Sequence, residues 1–174
     1  MFFKKIKLTL IILLFYQTPL YSKSTSFNDF DSKNLSKYFS GIVAYENKEN
    51  SKALDFFNSS KILLNKHDPY LERYMYSLVL DNKIPQAINL IKKNKGNNNT
   101  NFFDAYLLLI LDSLKKNDLN AAYIYSVKSA DLAGQDRFNI TILESLKEYI
   151  NVFKEKKISE NRKNFGKLSL ISET

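Results

Sequence analysis

Few residues of this chain have side chains that could act on a substrate. The sequence contains no cysteine and a single histidine, His67, which excludes cysteine nucleophiles and metal sites built from several histidines. His67 and the neighbouring Asp68 could exchange a proton with a substrate, but they stand just before Pro69, where a helix is predicted to begin. The four glycines lie apart from one another, so the chain lacks a glycine-rich phosphate loop. We expect no catalytic, metal or cofactor site, and a turn at His67.

A second candidate is the pair Glu144 and Ser145. It resembles the catalytic Glu-Ser pair of lytic transglycosylases, exported enzymes in which one carboxylic acid cleaves glycan and which can carry helical solenoids. Those enzymes have a Gly-Leu-Met-Gln-like stretch soon after the pair, and this chain has Leu146-Lys147-Glu148-Tyr149 instead. We expect Glu144 to be a solvated residue on an amphipathic helix. A glycan-acting envelope enzyme, or its helical accessory domain, is the alternative function.

The net charge of +8 is concentrated at the two ends of the chain. Lys4, Lys5 and Lys7 lie near the beginning, and a second group of lysines with Arg162 lies beyond residue 153. The region between them has little net charge and no basic stripe, which a nucleic-acid surface requires. We therefore expect no nucleic-acid partner.

The first residues have the pattern of a secretory signal peptide. Lysines precede an apolar run from Leu8 to Tyr16, which Gln17 ends. Nine helical residues span roughly 14 Å, well short of the ~30 Å hydrocarbon core of a bilayer. We predict a cleaved signal peptide over residues 1–23 and a short polar lead over 24–31. Richness in Lys, Asn and Ile is typical of a bacterial chain, so we expect a periplasmic or exported protein. The alternative is an uncleaved anchor in the inner membrane, which would be the only membrane contact.

The rest of the sequence predicts a series of amphipathic helices separated by polar turns. Asp68 is predicted to cap a helix whose first position is Pro69, because proline there loses no hydrogen bond. Phe102 to Leu114 is apolar nearly all round, which predicts a helix buried on several sides at the centre of the array. The predicted helices span about 32–47, 51–65, 69–80, 84–95, 102–114, 119–134 and 137–157.

Alanines recur at a nearly fixed spacing along these helices. Ala53, Ala87 and Ala122, the last beside Ala121, stand thirty-four and thirty-five residues apart. Such a period is typical of a helical repeat. The pattern resembles the tetratricopeptide repeat (TPR) family, in which a small residue early in the second helix of each pair lets the first helix approach closely. Phe57, four residues after Ala53, matches the larger residue that packs beside the small one in that family.

Other positions match the family less evenly. Gly41 stands at the family's small position in the first helix, whereas Met75 departs from it, and Ser126 replaces the larger residue in the third unit. The family's opening Trp and closing Pro are absent. The resemblance covers about residues 32–133 and implies an all-α fold, a right-handed α-solenoid of about three TPR-like helix pairs plus a C-terminal helix, over residues 32–157. Residues 158–174 are predicted to be a tail or the start of a truncated further repeat.

The resemblance implies a groove lined by the first helix of each pair. Tyrosines there combine an apolar ring with a polar tip, which suits the recognition of a peptide segment, and packing between helices is the alternative for them. Tyr38 and Ile42 replace the Lys and Asn of the carboxylate clamp in chaperone-binding members, so recognition of acidic C-termini is not expected. We expect a non-enzymatic scaffold that binds a protein or peptide in the cell envelope. The groove candidates are Tyr38, Ile42, Tyr45, Glu72, Tyr76, Val79, Leu107 and Leu111.

Overall fold

The computed structural model describes residues 31–96, 98–156, 165 and 168. That part of the chain contains α-helices, short 3₁₀ helices and no strand, which confirms the all-α class. Three predicted segments lie outside the described residues: the signal peptide, all but the last residue of the polar lead, and most of the tail. None of the described helices is long and apolar enough to span a membrane. The α-helices are α1 Ser32–Glu46, α2 Asn50–Ser59, α3 Asp68–Leu80, α4 Ile84–Lys93, α5 Phe103–Lys115, α6 Leu119–Lys128 and α7 Arg137–Glu155.

The same backbone turn joins α1 to α2, α3 to α4, and α5 to α6. We call α1, α3 and α5 the first helices and α2, α4 and α6 the second helices. Each turn contains one residue with a left-handed backbone: Lys48 (φ 63°), Asn82 (φ 57°) and Asn117 (φ 58°). The N–H of the next residue donates to a carbonyl five residues back, at 2.9, 2.8 and 2.9 Å, which is the Schellman geometry that ends a helix. The turns recur at the spacing of the alanines, so the repeat is present in the backbone as well as in the sequence.

Small residues hold the two helices of a pair close together. Ala53, Ala87 and Ala122 are each 0% exposed, as the repeat pattern predicts. A Cβ atom on Gly41 would lie only 3.0 Å from Cε1 of Phe57, so the aromatic ring of α2 occupies the space that a side chain on α1 would need. The larger residues that the other units carry at the position of Gly41 are buried as well.

Two second helices end earlier than the sequence predicts. α2 ends at Ser59 and α6 at Lys128, and 3₁₀ helices follow at Lys61–Leu63 and Asp131–Ala133. The hydroxyl of Ser60 donates to the carbonyl of Phe56 at 2.9 Å, and that of Ser129 donates to the carbonyl of Ser126 at 3.0 Å. Such bonds to the preceding turn compete with continuation of the helix.

The predicted cap of α3 is wrong by one residue. His67 is the capping residue, with an extended backbone, and its side chain makes no capping bond. Asp68 is instead the first residue of the helix, where its negative charge interacts favourably with the helix dipole. Pro69 lies in the first turn, as predicted.

Each helix packs against the next one in the chain, from α1 through α7. The buried residues form two clusters, one from α1 to α5 and one from α5 to α7. α5 joins them, since Ala105 and Leu109 belong to the first and Phe103 and Ile110 to the second. This agrees with a central position for α5, although Leu111 is exposed and the helix is therefore not buried on all sides.

Candidate binding surface

The eight groove candidates lie on the three first helices, with different degrees of exposure. Tyr38 is only 3% exposed, so its ring belongs to the core of the first two pairs. Leu111 is well exposed. The other six candidates are half-buried, so part of each side chain is accessible to solvent. They are Ile42, Tyr45, Glu72, Tyr76, Val79 and Leu107. We call these six residues, with Leu111, the first-helix surface.

Tyr38 is held in an aromatic cluster between α1, α2 and α3. Its ring centroid lies 4.8 Å from that of His67, edge to face, and 5.7 Å from that of Tyr70, stacked. Such arrangements are favourable for aromatic pairs. The packing alternative therefore accounts for Tyr38, and the ring of His67 packs against it at the start of α3.

A polar bridge links α3 to α5 at the first-helix surface. The hydroxyl of Tyr76 donates a hydrogen bond to the carboxylate of Asp104, which lies in the first turn of α5. Burial of the phenol raises the pKa of Tyr76, and the bond to Asp104 and the nearby charge of Glu72 raise it further. Tyr76 is therefore a neutral hydrogen-bond donor at physiological pH, with its ring fixed between two acidic groups.

A cation–π contact links α1 to α3 at the same surface. The guanidinium carbon of Arg73 lies 5.8 Å from the ring centroid of Tyr45, within the range of an attractive interaction. Burial raises the pKa of Tyr38, and the positive charge of Arg73 partly offsets this effect. Arg73 thus contacts Tyr45 and influences Tyr38 through its charge.

The sequence reasoning missed Arg73 and Asp104. Arg73 occupies the repeat position that Phe39 has in α1 and Leu108 in α5, so a charged residue at an otherwise apolar position was the available signal. Asp104 has no comparable signal in the sequence, because it lies at the beginning of a nearly apolar helix that was interpreted only as a core element. Together with Tyr45, Glu72 and Tyr76, these two residues provide the first-helix surface with tyrosine rings, with positive and negative charges and with hydrogen-bonding groups.

Within the described ranges, no cluster of three or more His, Asp or Glu side chains could hold a metal ion. Glu144 is half-buried on α7. Its neighbour Ser145 is 9% exposed.

A separate cavity of about 520 Å³ lies between α1 and α2. Phe39, Val43 and Phe56 give it an apolar floor, and Lys52 is at its rim. At the equivalent face of α3, the hydroxyls of Tyr70 and Tyr74 bond to residues of the preceding α2. The cavity thus lies at the face of α1 that corresponds to the face by which α3 packs on the preceding helix pair.

The chain matches no protein-family model, no curated protein and no solved structure. The resemblance to TPR units thus rests on the residues and turns described above. The function has to be argued from the chemistry of the surface.

Proposed function

We propose that this chain is an exported, non-enzymatic protein whose TPR-like helix pairs form a right-handed α-solenoid and bind another protein or an extended peptide in the bacterial cell envelope. The recurrence of one Schellman turn at the spacing of the buried alanines supports the repeat architecture. In arrays of this kind, neighbouring units bury each other's faces and leave an extended surface for ligands. The apolar run after three lysines at the N-terminus supports export.

The observation that carries the binding proposal is the pair of contacts that fix side chains between successive first helices. The Arg73 contact with Tyr45 joins α1 to α3, and the Tyr76 bond to Asp104 joins α3 to α5. Partly exposed tyrosines and arginine are the residue types enriched where proteins bind one another. Because their positions are fixed before binding, little side-chain entropy is lost when a ligand is bound.

Site-specific photo-crosslinking in the native cells tests this proposal. A photoreactive phenylalanine analogue would replace Tyr45 on the first-helix surface or, as the matched control, Asp55 on the exposed side of α2. We expect a discrete crosslinked product at Tyr45 that is absent at Asp55 and is lost when Tyr76 is changed to Ala. Equal crosslinking at both positions, or none at Tyr45, would refute binding at this surface.

Sequencing the N-terminus of the same purified protein tests export. A mature chain that starts near Lys23 in the soluble envelope fraction is the expected result. A retained Met1 in the membrane fraction would show that the segment is an anchor, and a retained Met1 in the cytoplasm would refute export.

A further inference from the structure

The exposed side of α6 differs in chemistry from the same side of the other second helices. Ile124 is 52% exposed and Val127 is 50% exposed. The positions equivalent to these two residues are exposed in α2 and α4 as well, but they are polar or charged: Asp55 and Asn58 in α2, and Asn89 and Lys92 in α4. Packing within the array therefore does not require apolar side chains at these positions. Only in α6 are they aliphatic.

Tyr123 extends this apolar area. It is 41% exposed, whereas the equivalent Leu54 and Ile88 are buried. The ammonium group of Lys154, on α7, lies 4.9 Å from the centre of the Tyr123 ring. We call Tyr123, Ile124 and Val127, with the neighbouring lysines, the α6 patch.

Lysine side chains border the α6 patch. Lys128 follows Val127 directly and lies four residues after Ile124, so it is on the same side of the helix. Neither Lys128 nor Lys154 forms an ion pair among the described residues. Both positive charges are thus available to an external anionic group.

We propose that the α6 patch docks on the surface of a bilayer that contains anionic lipids. Aliphatic side chains can enter the boundary between headgroups and acyl chains, and a tyrosine ring is suited to that interface because it is apolar with a polar tip. Lysines beside the apolar residues can extend along the interface and place their charges near lipid phosphates. This surface is distinct from the first-helix surface, and its function goes beyond the proposed ligand binding.

The charges favour an anionic lipid over a second copy of the chain. A symmetric contact between two copies through this patch would bring Lys128 and Lys154 of one copy close to the same lysines of the other. Like charges held together at an interface oppose association. A flat anionic surface instead complements the patch.

The absence of tryptophan from the chain allows a local test in the full-length protein. The variant Ile124→Trp places a single fluorophore in the α6 patch, and Asn89→Trp places one at the equivalent position of α4. Vesicles of phosphatidylglycerol and phosphatidylethanolamine should shift the emission of the first variant to shorter wavelength, and brominated lipid should quench it. The second variant should change little. Both variants carry the same N-terminal apolar run, so vesicle binding through that run cannot explain a difference between them.

Vesicles of neutral lipid and removal of the lysine charges complete the experiment. In the Ile124→Trp background, Lys128→Gln or Lys154→Gln should each weaken vesicle binding about fivefold, and phosphatidylcholine vesicles should give no shift. An equal shift on neutral vesicles, an equal shift in both Trp variants, or no shift would overturn the proposal. A shift that depends on protein concentration without vesicles would show self-association and would overturn it as well. Circular dichroism verifies folding. Val127→Trp is a second variant in the α6 patch, and Asp55→Trp, at the exposed α2 position equivalent to Ile124, is a second control.

Discussion

Replacing Gly41 with alanine should have opposite effects on stability in two backgrounds. In an ordinary helix, Gly→Ala stabilises by about 1 kcal/mol. Here the new Cβ would lie 3.0 Å from Cε1 and 3.2 Å from Cδ1 of Phe57, closer than normal van der Waals contact. Overpacking of a core costs typically about 1–3 kcal/mol. The steric term therefore equals or exceeds the propensity term, and we expect Gly41→Ala to change the free energy of unfolding by between about zero and −2 kcal/mol.

The second background removes the steric term. Phe57→Leu takes away Cε1 and Cζ of the ring and leaves methyl groups that can rotate away from residue 41. It is destabilising by itself because it shortens a fully buried side chain. In that background, Gly41→Ala should stabilise by about 1 kcal/mol, which is the propensity term alone. The coupling between the two changes should then be at least about 1 kcal/mol, within the range found for residues in contact.

Urea denaturation followed by circular dichroism at 222 nm measures all four proteins of this cycle. The sign of the Gly41→Ala effect is the decisive quantity, because it does not depend on the exact cost of shortening Phe57. If Gly41→Ala stabilised the chain by the same amount in both backgrounds, the close approach of α1 to α2 would be absent in solution. The pairing of helices derived from the repeat would then be wrong.

Three further changes test other parts of the argument. Ala87→Leu should lower the free energy of unfolding by about 1–3 kcal/mol, because it inserts a larger side chain between α3 and α4; unchanged thermal stability would show that the repeat alignment is wrong. Lys48→Asn should stabilise by about 0.5–1 kcal/mol, because asparagine tolerates the left-handed backbone better and already holds this position in the other two turns; the control is the same change at exposed Lys52, where no gain is expected. Asp112 accepts hydrogen bonds from Lys116 and Lys92, which lower the pKa of its carboxyl group. Its contribution to stability is therefore present at neutral pH and is lost as the pH falls below the usual aspartate pKa, near 3.9. The Asp112→Asn variant should show a smaller decrease in melting temperature between pH 6 and pH 3 than the unchanged chain, and an equal decrease would contradict this assignment.

The sequence predicted the features that follow from local periodicity. The helices, their order and the buried alanines come from the spacing of apolar and small residues, which the backbone geometry of a helix determines directly. The early ends of α2 and α6 were missed because the apolar pattern continues through Ile62 and Leu132, whereas the serine hydroxyls that stop the helices have no periodic signal. The left-handed Lys48 was missed for a similar reason, since only its equivalents in the other units are asparagines.

The candidate surface was harder to predict because it depends on contacts between units. Tyr38 and Tyr45 lie seven residues apart on one helix, so helical periodicity assigns them to the same side. The structure buries Tyr38 because Tyr70 and His67 of the next pair cover it, and leaves Tyr45 half-buried beside Arg73. Which residue of a helix remains accessible is decided by the neighbouring unit, and this information is not contained in the pattern of a single helix.

The two proposed surfaces should be separable by mutation. They lie on different helices, the first-helix surface on α1, α3 and α5 and the α6 patch on α6 and α7, and no residue belongs to both. The substitutions Ile124→Asp and Val127→Asn give α6 the residues that α2 has at the same exposed positions and add no positive charge, so they should not disturb packing. We expect this double variant to lose vesicle binding through α6 and to keep the crosslinked product at Tyr45, and Tyr45→Ala to leave vesicle binding unchanged. If the α6 double variant also lost the crosslink while its melting temperature was unaltered, membrane docking would be a condition for binding the partner, and the two surfaces would have to be treated as one functional unit.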